Sequence, residues 1–281
     1  MNLFNPNKLI TFPADDPHLV KQLQKGTKAY LAKSGDHRYA DGWAFAKMVT
    51  LIIACLSCYS LALSQSQWVL YLLWYLAMIF CAMLLAVNVV HDASHDAFWR
   101  GKKANAWLNR MVAFPIGLDP DCWRVRHVRF HHGFTNIEFY DPDTAENGIL
   151  RQTPWQRWRP FMRQQHRYWP LVAALTFPWY IWVVDWLDRG GFTPVTPHLA
   201  FATTFDWTPQ PASLGYWLGG INLHLTHHLF PHWNHRHYPA LSRIIADIAK
   251  QKGLDYQLLT LSDLLGLQQQ FLRRMGEKPK N

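Results

Sequence analysis

Two apolar stretches decide the fold: AFAKMVTLIIACLSCYSLALS at residues 44–64 and WVLYLLWYLAMIFCAMLLAVNVV at residues 68–90. Each contains about 20 residues or slightly more, the length that an α-helix needs to cross a bilayer. Their only charged residue is Lys47, near the start of the first stretch, where we expect its side chain to snorkel to the membrane interface. The short polar turn Gln65–Gln67 joins them. The pattern predicts a transmembrane helical hairpin, the alternative being a buried hairpin in a soluble core.

Basic residues flank both outer ends of this hairpin, whereas its turn has none. They are Lys21, Lys25, Lys28 and Lys33 before the hairpin and Arg100, Lys102 and Lys103 after it. By the positive-inside rule, both ends of the hairpin are expected in the cytoplasm. We therefore predict an integral, multi-pass membrane protein, in a bacterial inner membrane rather than the endoplasmic reticulum.

The composition indicates which kinds of molecule and surface the protein contacts. A formal charge of +9 suits a protein on an anionic membrane leaflet, or one that docks an acidic soluble partner. Nucleic acid is not an expected partner, because the basic residues are spread along the chain without a recognition motif. The 15 tryptophans indicate an interfacial aromatic belt, or alternatively the lining of a channel for an apolar chain.

Three histidine clusters follow the hairpin at spacings that place paired imidazoles on one face of a helix. The eight histidines are His91, His95, His127, His131, His132, His224, His227 and His228. They are too many for one zinc ion and suit two transition-metal ions. Imidazole-only ligation is compatible with iron, copper, nickel or zinc, and iron is favoured because a membrane enzyme acting on lipid meets unactivated C–H bonds. The alternative is a set of unrelated structural histidines.

The predicted fold is all-α: a transmembrane hairpin and a helical cytoplasmic cap that carries a histidine-rich dimetal site. Five parts are expected: a cytoplasmic N-terminal segment (1–43), the hairpin (44–90), a cytoplasmic region with the first two clusters (91–167), a third hydrophobic segment (168–186), and a cytoplasmic region with the third cluster and C-terminal helices (187–281). One full span at 168–186 would leave the third cluster across the membrane from the others. That segment is therefore expected to re-enter on the same side, unless a partner span is missing.

Several runs of sequence carry a resemblance. NVVHDASHDAF from Asn88, WRVRHVRFHHGFTNI from Trp123, YDPD from Tyr140 and GGINLHLTHHLFPHWNHRHYPAL from Gly219 resemble the membrane fatty acid desaturases. The run from Gly219 is similar to the acyl-CoA or acyl-lipid branch, whose third histidine box is followed by Leu-Phe-Pro. The resemblance implies two iron ions bound by the eight histidines. It also implies a cis double bond inserted into a fatty acyl chain with dioxygen and two electrons from ferredoxin or cytochrome b5.

Three further residues are candidates around this site. Asp92 directly follows the first ligand and is either an acceptor for an imidazole N–H or an ordinary aspartate on a helix surface. Asn222 is similar to an asparagine of the family and is expected to orient a ligand or a bound water. The family has a longer segment between its second and third boxes, with a histidine resembling a ninth ligand, and His198 is the candidate substitute here.

The favoured function is therefore a membrane diiron fatty acyl desaturase supplied with electrons by an external protein. No His-Pro-Gly-Gly heme motif is present, so a fused cytochrome b5 domain is not expected. Two alternatives stay open: a hydroxylase or ketolase acting on lipid with the same histidine scaffold, and a metal-binding homologue left catalytically incomplete by the shortened middle.

Overall fold

The computed structural model describes residues 17–135, 137–139, 141–144, 146–189, 198–199 and 206–279. Its helices in chain order are α1 (Pro17–Ser34), α2 (Gly42–Leu63), α3 (Trp68–Leu85), α4 (His91–Ser94), α5 (Lys102–Ala113), α6 (Pro120–Arg124), α7 (Gln165–Trp179), α8 (Asp185–Arg189), α9 (Leu214–Trp217), α10 (His224–Leu229), α11 (Tyr238–Lys252) and α12 (Leu261–Gly276). Its strands are β1 (Glu138–Phe139), β2 (His198–Leu199), β3 (Asp206–Thr208) and β4 (Leu258–Thr260). Wider π-helical turns occupy Ala86–Val90, Val125–His131 and Tyr180–Val184.

The chain divides into two compact units. One comprises Met1–His37 with Ala240–Tyr256, and the other comprises Arg38–Pro239 with Gln257–Asn281. In the smaller unit, α1 and α11 approach each other at Gly26, where a Cβ atom would lie 2.8 Å from Cγ2 of Ile244. The larger unit contains the hairpin and all three histidine clusters.

The hairpin forms as the sequence predicts. The Asp41 side chain caps α2 by accepting a hydrogen bond from the Ala44 amide at 2.9 Å. Helix α3 continues through the π-helical turn and α4, so that one helical segment runs from Trp68 to Ser94. Both helices are long and apolar enough to cross a membrane. Within an apolar stretch of 18 residues in each, only 22% and 11% of the residues are buried. A hairpin in a soluble core would be mostly buried, so this exposure favours the membrane-spanning interpretation.

The position predicted for Lys47 is wrong. Its side chain does not extend to an interface but is buried, and Nζ donates to the Tyr216 carbonyl oxygen at 2.7 Å. Its ammonium also lies 3.7 Å from the centre of the Tyr216 ring. Helix α9, which precedes the third histidine cluster, provides these contacts, which the sequence around Lys47 does not reveal.

The third hydrophobic segment is an irregular helix. Helix α7 contains Pro170 and Pro178, passes into the π-helical turn at Tyr180–Val184 and ends as α8. Its start is held by Gln165, whose Nε2 donates to the Leu272 carbonyl oxygen of α12 at 2.9 Å. Among the described residues, only α2 and the helix through Ser94 qualify as spans by length and hydropathy. A spanning or re-entrant role for residues 168–186 stays a prediction.

The all-α expectation holds for most of the larger unit but misses two short parallel strand pairs. Strand β1 pairs with β2, and β3 pairs with β4 with Asp206 opposite Leu258. Two C-terminal helices, α11 and α12, follow the third histidine cluster, and Gly253 at φ +66° and β4 lie between them. Pairing between distant segments of chain produced these strands, and local periodicity carries no signal for it.

One apolar core fixes the end of the hairpin that leads to the first histidine cluster. It packs residues of α2, the α3–α4 region and α5 together: Met48, Leu51, Leu85, Val89, Val90, Ala93, Phe98, Leu108, Val112, Ala113 and Leu118. The turn at Gly219–Gly220, just before the third histidine cluster, packs against this end of the hairpin. Gly219 approaches the Val87 carbonyl oxygen too closely for any side chain, and the Asn88 side chain donates to the Trp217 carbonyl oxygen at 2.8 Å.

We predict that Gly220→Ala destabilises the protein, by at least about 1–2 kcal/mol from its left-handed backbone alone. Gly220 has φ +77°, and a Cβ there would lie 2.6 Å from Cδ2 of Tyr238 and 2.8 Å from Cβ of His235. Thermal unfolding in detergent measures the effect. The control is Gly266→Ala on an exposed face of α12, where nothing lies within 4 Å of the added Cβ and a small stabilisation is expected. Equal melting temperatures for the two variants would contradict the prediction.

Candidate metal centre

The first histidine cluster lies where α3 ends. The π-helical turn at Ala86–Val90 precedes His91, and His95 directly follows α4. Both imidazoles are buried, with ring centres 5.0 Å apart. Single π-helical turns inside helices frequently occur at functional sites, because the extra residue redirects the side chains that follow. Here the turn leads directly to His91.

The second cluster lies on the π-helical turn that continues α6. Helix α6 is capped by Asp119, whose side chain accepts from the amides of Asp121 and Cys122 at 2.9 Å each. The amide of His132 donates to the His127 carbonyl oxygen at 3.0 Å, a hydrogen bond between residues five apart. The spacing of these histidines predicts a regular helix. The wider turn instead brings the ring of His132 to 4.8 Å from that of His127.

The third cluster lies on α10, which is held by residues before it in the chain. Asp206 of β3 is fully buried and accepts from Thr226, at 3.1 Å from the amide and 2.5 Å from the hydroxyl. Thr226 stands between His224 and His227, so these contacts fix the helix that carries them. Asn222 donates to the Trp207 carbonyl oxygen at 2.9 Å and accepts from the Trp207 amide at 2.7 Å.

Seven of the eight histidines form two adjacent groups. The first group is His91, His95, His127 and His227, and the second is His131, His224 and His228. Within each group, the nitrogen atoms available as ligands all lie within 4.8 Å of one another. His132 lies between the groups: its Nε2 is 2.8 Å from Nε2 of His227, and its ring centre is 4.3 Å from that of His228. The side chain of His198 lies outside the described part of the structure.

Outward contacts hold the rings by their Nδ1 atoms. His131 Nδ1 lies 3.0 Å from both carboxylate oxygens of the buried Asp141. His228 Nδ1 lies 3.1 Å from the Thr135 hydroxyl, which donates its own hydrogen to the His131 carbonyl oxygen at 2.7 Å. Thr135 must therefore accept from His228, so that Nδ1 of His228 carries the proton.

Two more rings have outward partners of the same kind. His227 Nδ1 lies 2.8 Å from the Tyr238 hydroxyl, and His91 Nδ1 lies 3.4 Å from Oδ1 of Asp92. When Nδ1 holds the proton, Nε2 presents a lone pair toward the interior of the group. This is the arrangement in which outer contacts orient metal-ligating histidines.

Among the described residues, the inward nitrogens have no adequate hydrogen-bond partner. Nε2 atoms face each other at 3.1 Å between His91 and His227 and at 3.1 Å between His131 and His228. Two lone pairs at this distance cannot form a hydrogen bond. Both ring nitrogens of His95 and Nε2 of His127 are buried without a hydrogen-bond partner in the described structure. Buried unpaired nitrogens that converge on one point fit a bound cation, so the residues present suit a metal.

Burial keeps most of these rings neutral. It lowers the pKa of His95, His127 and His227 well below the usual range, and with neighbouring histidine charges it lowers the pKa of His224 to about 3. Burial also lowers the pKa of His131, but the Asp141 hydrogen bond and the charges of Asp143 and Asp141 outweigh it and raise that pKa overall. Neutral imidazoles are the form in which histidine binds metals.

Sequence reasoning missed several of the residues around these groups. Asp92 is not a surface aspartate, since it is 1% exposed and accepts from the side chains of Asn234 at 2.6 Å and His235 at 2.8 Å. Asp141, Thr135 and Tyr238 were not identified as histidine partners. Asp141 lies in the run YDPD that starts at Tyr140, but a lone carboxylate ten residues after His131 has no spacing that indicates a contact.

Comparisons with known proteins identify the family of this chain. The profile of the family described as "Fatty acid desaturase" matches residues 66–193 and 164–260, which together span more than half of the chain. An sn-1 linoleoyl-lipid 6-desaturase of Synechocystis sp. is 23% identical, with 91% of this chain and 94% of the relative covered. The alignment extends over 346 positions, more than the 281 residues of this chain, so the relative carries inserted segments.

Other relatives are of the same kind. An sn-1 linoleoyl-lipid 6-desaturase of Arthrospira platensis is 21% identical over 69% of this chain and 74% of its own length. An acyl-lipid (7-3)-desaturase of Diacronema lutheri is 24% identical over 89% of this chain and 73% of its own length. No solved structure matches the chain. With the histidine groups and the family match together, the chain belongs to the fatty acid desaturase family, and it is an oxidoreductase that acts on fatty acids.

Proposed function

We propose that this protein is an O2-dependent acyl-lipid desaturase with a diiron centre. In the proposed reaction, two adjacent methylene carbons each lose one hydrogen and form a double bond. Dioxygen is reduced to two waters with these two hydrogens, two electrons from an external donor and two protons. The observation that carries the proposal is the convergence of eight histidines, five of them buried and three half-buried, on two adjacent groups in which several inward nitrogens lack a partner among the described residues.

The proposed ligands follow the two groups. His91, His95, His127 and His227 would hold one iron, and His131, His224 and His228 the other. His132 lies between the groups and can complete either of them. The second group has one histidine fewer, and we propose His198 as a further ligand there. Bound iron supplies the oxidising power with dioxygen that breaking an unactivated C–H bond requires.

The remaining residues of the site act on the histidines. Asp141, Thr135, Tyr238 and Asp92 hold the rings by Nδ1, so that Nε2 faces the metal position. Burial excludes water and keeps most rings neutral before metal binds. Asn222 acts one step further away, by holding β3 beside the third cluster.

The substrate and donor are inferred from the relatives and from charge. The curated relatives are named as linoleoyl-lipid and acyl-lipid desaturases, so we propose an acyl chain esterified in a membrane lipid rather than acyl-CoA. Ferredoxin or cytochrome b5 would deliver the two electrons. The net charge of +9 suits an acidic soluble donor of either type.

We propose a topology in which all three histidine clusters lie on the cytoplasmic side, in a bacterial inner membrane. Helices α2 and α3 form a hairpin, so the beginning of α2 and the His91 end share one side, which the positive-inside rule places in the cytoplasm. The third cluster meets the first two in one centre. This meeting supports a re-entrant α7–α8 segment, because a single complete span would have placed the third cluster on the opposite side.

We expect the purified protein to bind two irons per chain and to lose about one in each single-ligand variant. His227→Ala removes a ligand of the first group, and His228→Ala removes one of the second. Elemental analysis after anaerobic loading with Fe²⁺ measures the stoichiometry. His18→Ala, at an exposed position of α1, is the control and should retain two irons. An iron content unaffected by either ligand variant would contradict the assignment.

Product analysis tests the reaction itself. Protein supplied with O2, reduced ferredoxin or cytochrome b5 and acyl-lipid vesicles should yield acyl chains that have lost two hydrogens, as measured by mass spectrometry. Added oxygen without hydrogen loss would indicate a hydroxylase or ketolase. Full iron content without any oxidised product would indicate a metal-binding homologue that has lost catalysis.

Asp141→Ala should weaken iron binding by about 10–100-fold, the usual cost of losing an outer partner of a metal-ligating histidine. Its carboxylate lies 3.0 Å from Nδ1 of His131 through both oxygens. Competition with a chelator measures the affinity. Asp121→Ala is the matched control, because that carboxylate is exposed and pairs with Arg110. The same chelator sensitivity in both variants would contradict the role of Asp141.

A further inference from the structure

Lys47 occupies an unusual position for a lysine in a membrane-spanning helix. It lies one turn into α2, at the end of the hairpin where the returning helix carries His91. Only 4% of the residue is exposed, and its Nζ lies 2.7 Å from both the Tyr216 carbonyl oxygen and Nε2 of His235. A buried ammonium in such a segment is costly without compensation and is a feature that usually has a function.

The contact with His235 sets the role of that ring. An ammonium only donates hydrogen bonds, so Nε2 of His235 must accept from Lys47. The proton of a neutral His235 ring is then on Nδ1, which donates to Oδ2 of Asp92 at 2.8 Å. The imidazole thus connects a buried cation to a buried carboxylate, with all three side chains inside the larger unit.

Asp92 connects this arrangement to the metal centre. Its Oδ2 also accepts from Nδ2 of Asn234 at 2.6 Å and from the His235 amide at 3.2 Å. Its Oδ1 faces Nδ1 of His91 at 3.4 Å. One carboxylate oxygen is therefore occupied by the residues that lead to Lys47, and the other faces a proposed iron ligand.

We propose that Lys47 is a positioning residue for the first histidine group and acts through His235 and Asp92 on the orientation of His91. This inference rests on the proposed metal centre. Lys47 provides the positive charge that balances Asp92. His235 contacts both side chains, so the position of Lys47 fixes the position of the Asp92 carboxylate. Through these contacts, α2 and helix α9 are connected to one proposed metal ligand.

If Lys47 had only a packing role, its replacement would have a different effect on iron binding from the one proposed. If Lys47 only filled space, replacing it would lower stability and affect both histidine groups alike. If it positions His91, its loss should act on the first group alone, because the second group is held by Asp141 and Thr135. The distribution of iron between the two groups therefore distinguishes the two roles.

The test compares wild-type protein with Lys47→Met, loaded with Fe²⁺ and dialysed against increasing chelator. We expect Lys47→Met to keep one iron as firmly as wild type and to lose the other at about 10–100-fold lower chelator. Lys103→Met, an exposed lysine of α5, is the control and should behave as wild type. The proposal would be overturned if Lys47→Met lost both irons at the same reduced chelator concentration. It would also be overturned if the variant kept both irons up to the chelator concentrations that wild type withstands.

A second variant covers the case in which Lys47→Met does not fold. Removing one partner of a buried charge pair leaves the other unpaired, whereas removing both avoids that cost. Lys47→Met combined with Asp92→Asn should therefore fold, and it should still lose one iron early because His91 has lost its carboxylate partner. Retention of both irons by the double variant would overturn the proposal. Wild-type protein that binds no iron would instead overturn the proposed function.

Discussion

An imidazole ring has two nitrogen atoms that need partners when it is shielded from water, and eight such rings, five of them buried and three half-buried, meet inside the larger unit of this protein. On the outer side, Asp141, Thr135, Tyr238 and Asp92 contact Nδ1 atoms. On the inner side, Nε2 atoms face one another at about the length of a hydrogen bond that they cannot form. Bound metal would satisfy these inward atoms, and the surrounding residues hold the rings where it could bind.

The fold meets this requirement with local irregularities. Two π-helical turns redirect the first and second clusters, and the Thr226 contacts of Asp206 fix the third on a helix of only six residues. The Gly219–Gly220 turn allows the third cluster to approach the end of the hairpin. A regular helix in place of either π-helical turn would point the imidazoles that follow in different directions. The family match and the acyl-lipid relatives give this arrangement its chemistry, the oxidation of a fatty acyl chain.

Much of this could be predicted from the sequence, because it depends on local pattern. Hydropathy located both helices of the hairpin, and histidine spacing selected the residues that the structure brings together. The remainder depends on contacts between distant residues. Lys47 and Asp92 looked like an interfacial lysine and a possible surface aspartate, but His235 joins them from more than 140 residues away. The π-helical turn that brings His132 between the groups has no marker in the local sequence, since its residues also suit a regular helix.

The central claim is that the three histidine clusters build one centre for two iron ions despite the short connection between the second and third. X-ray absorption at the iron edge of the Fe²⁺-loaded protein in detergent tests it most directly. The account predicts imidazole nitrogen scattering with a second iron close to each absorbing iron. Iron atoms without an iron neighbour, or a first shell dominated by ligands other than imidazole, would contradict it.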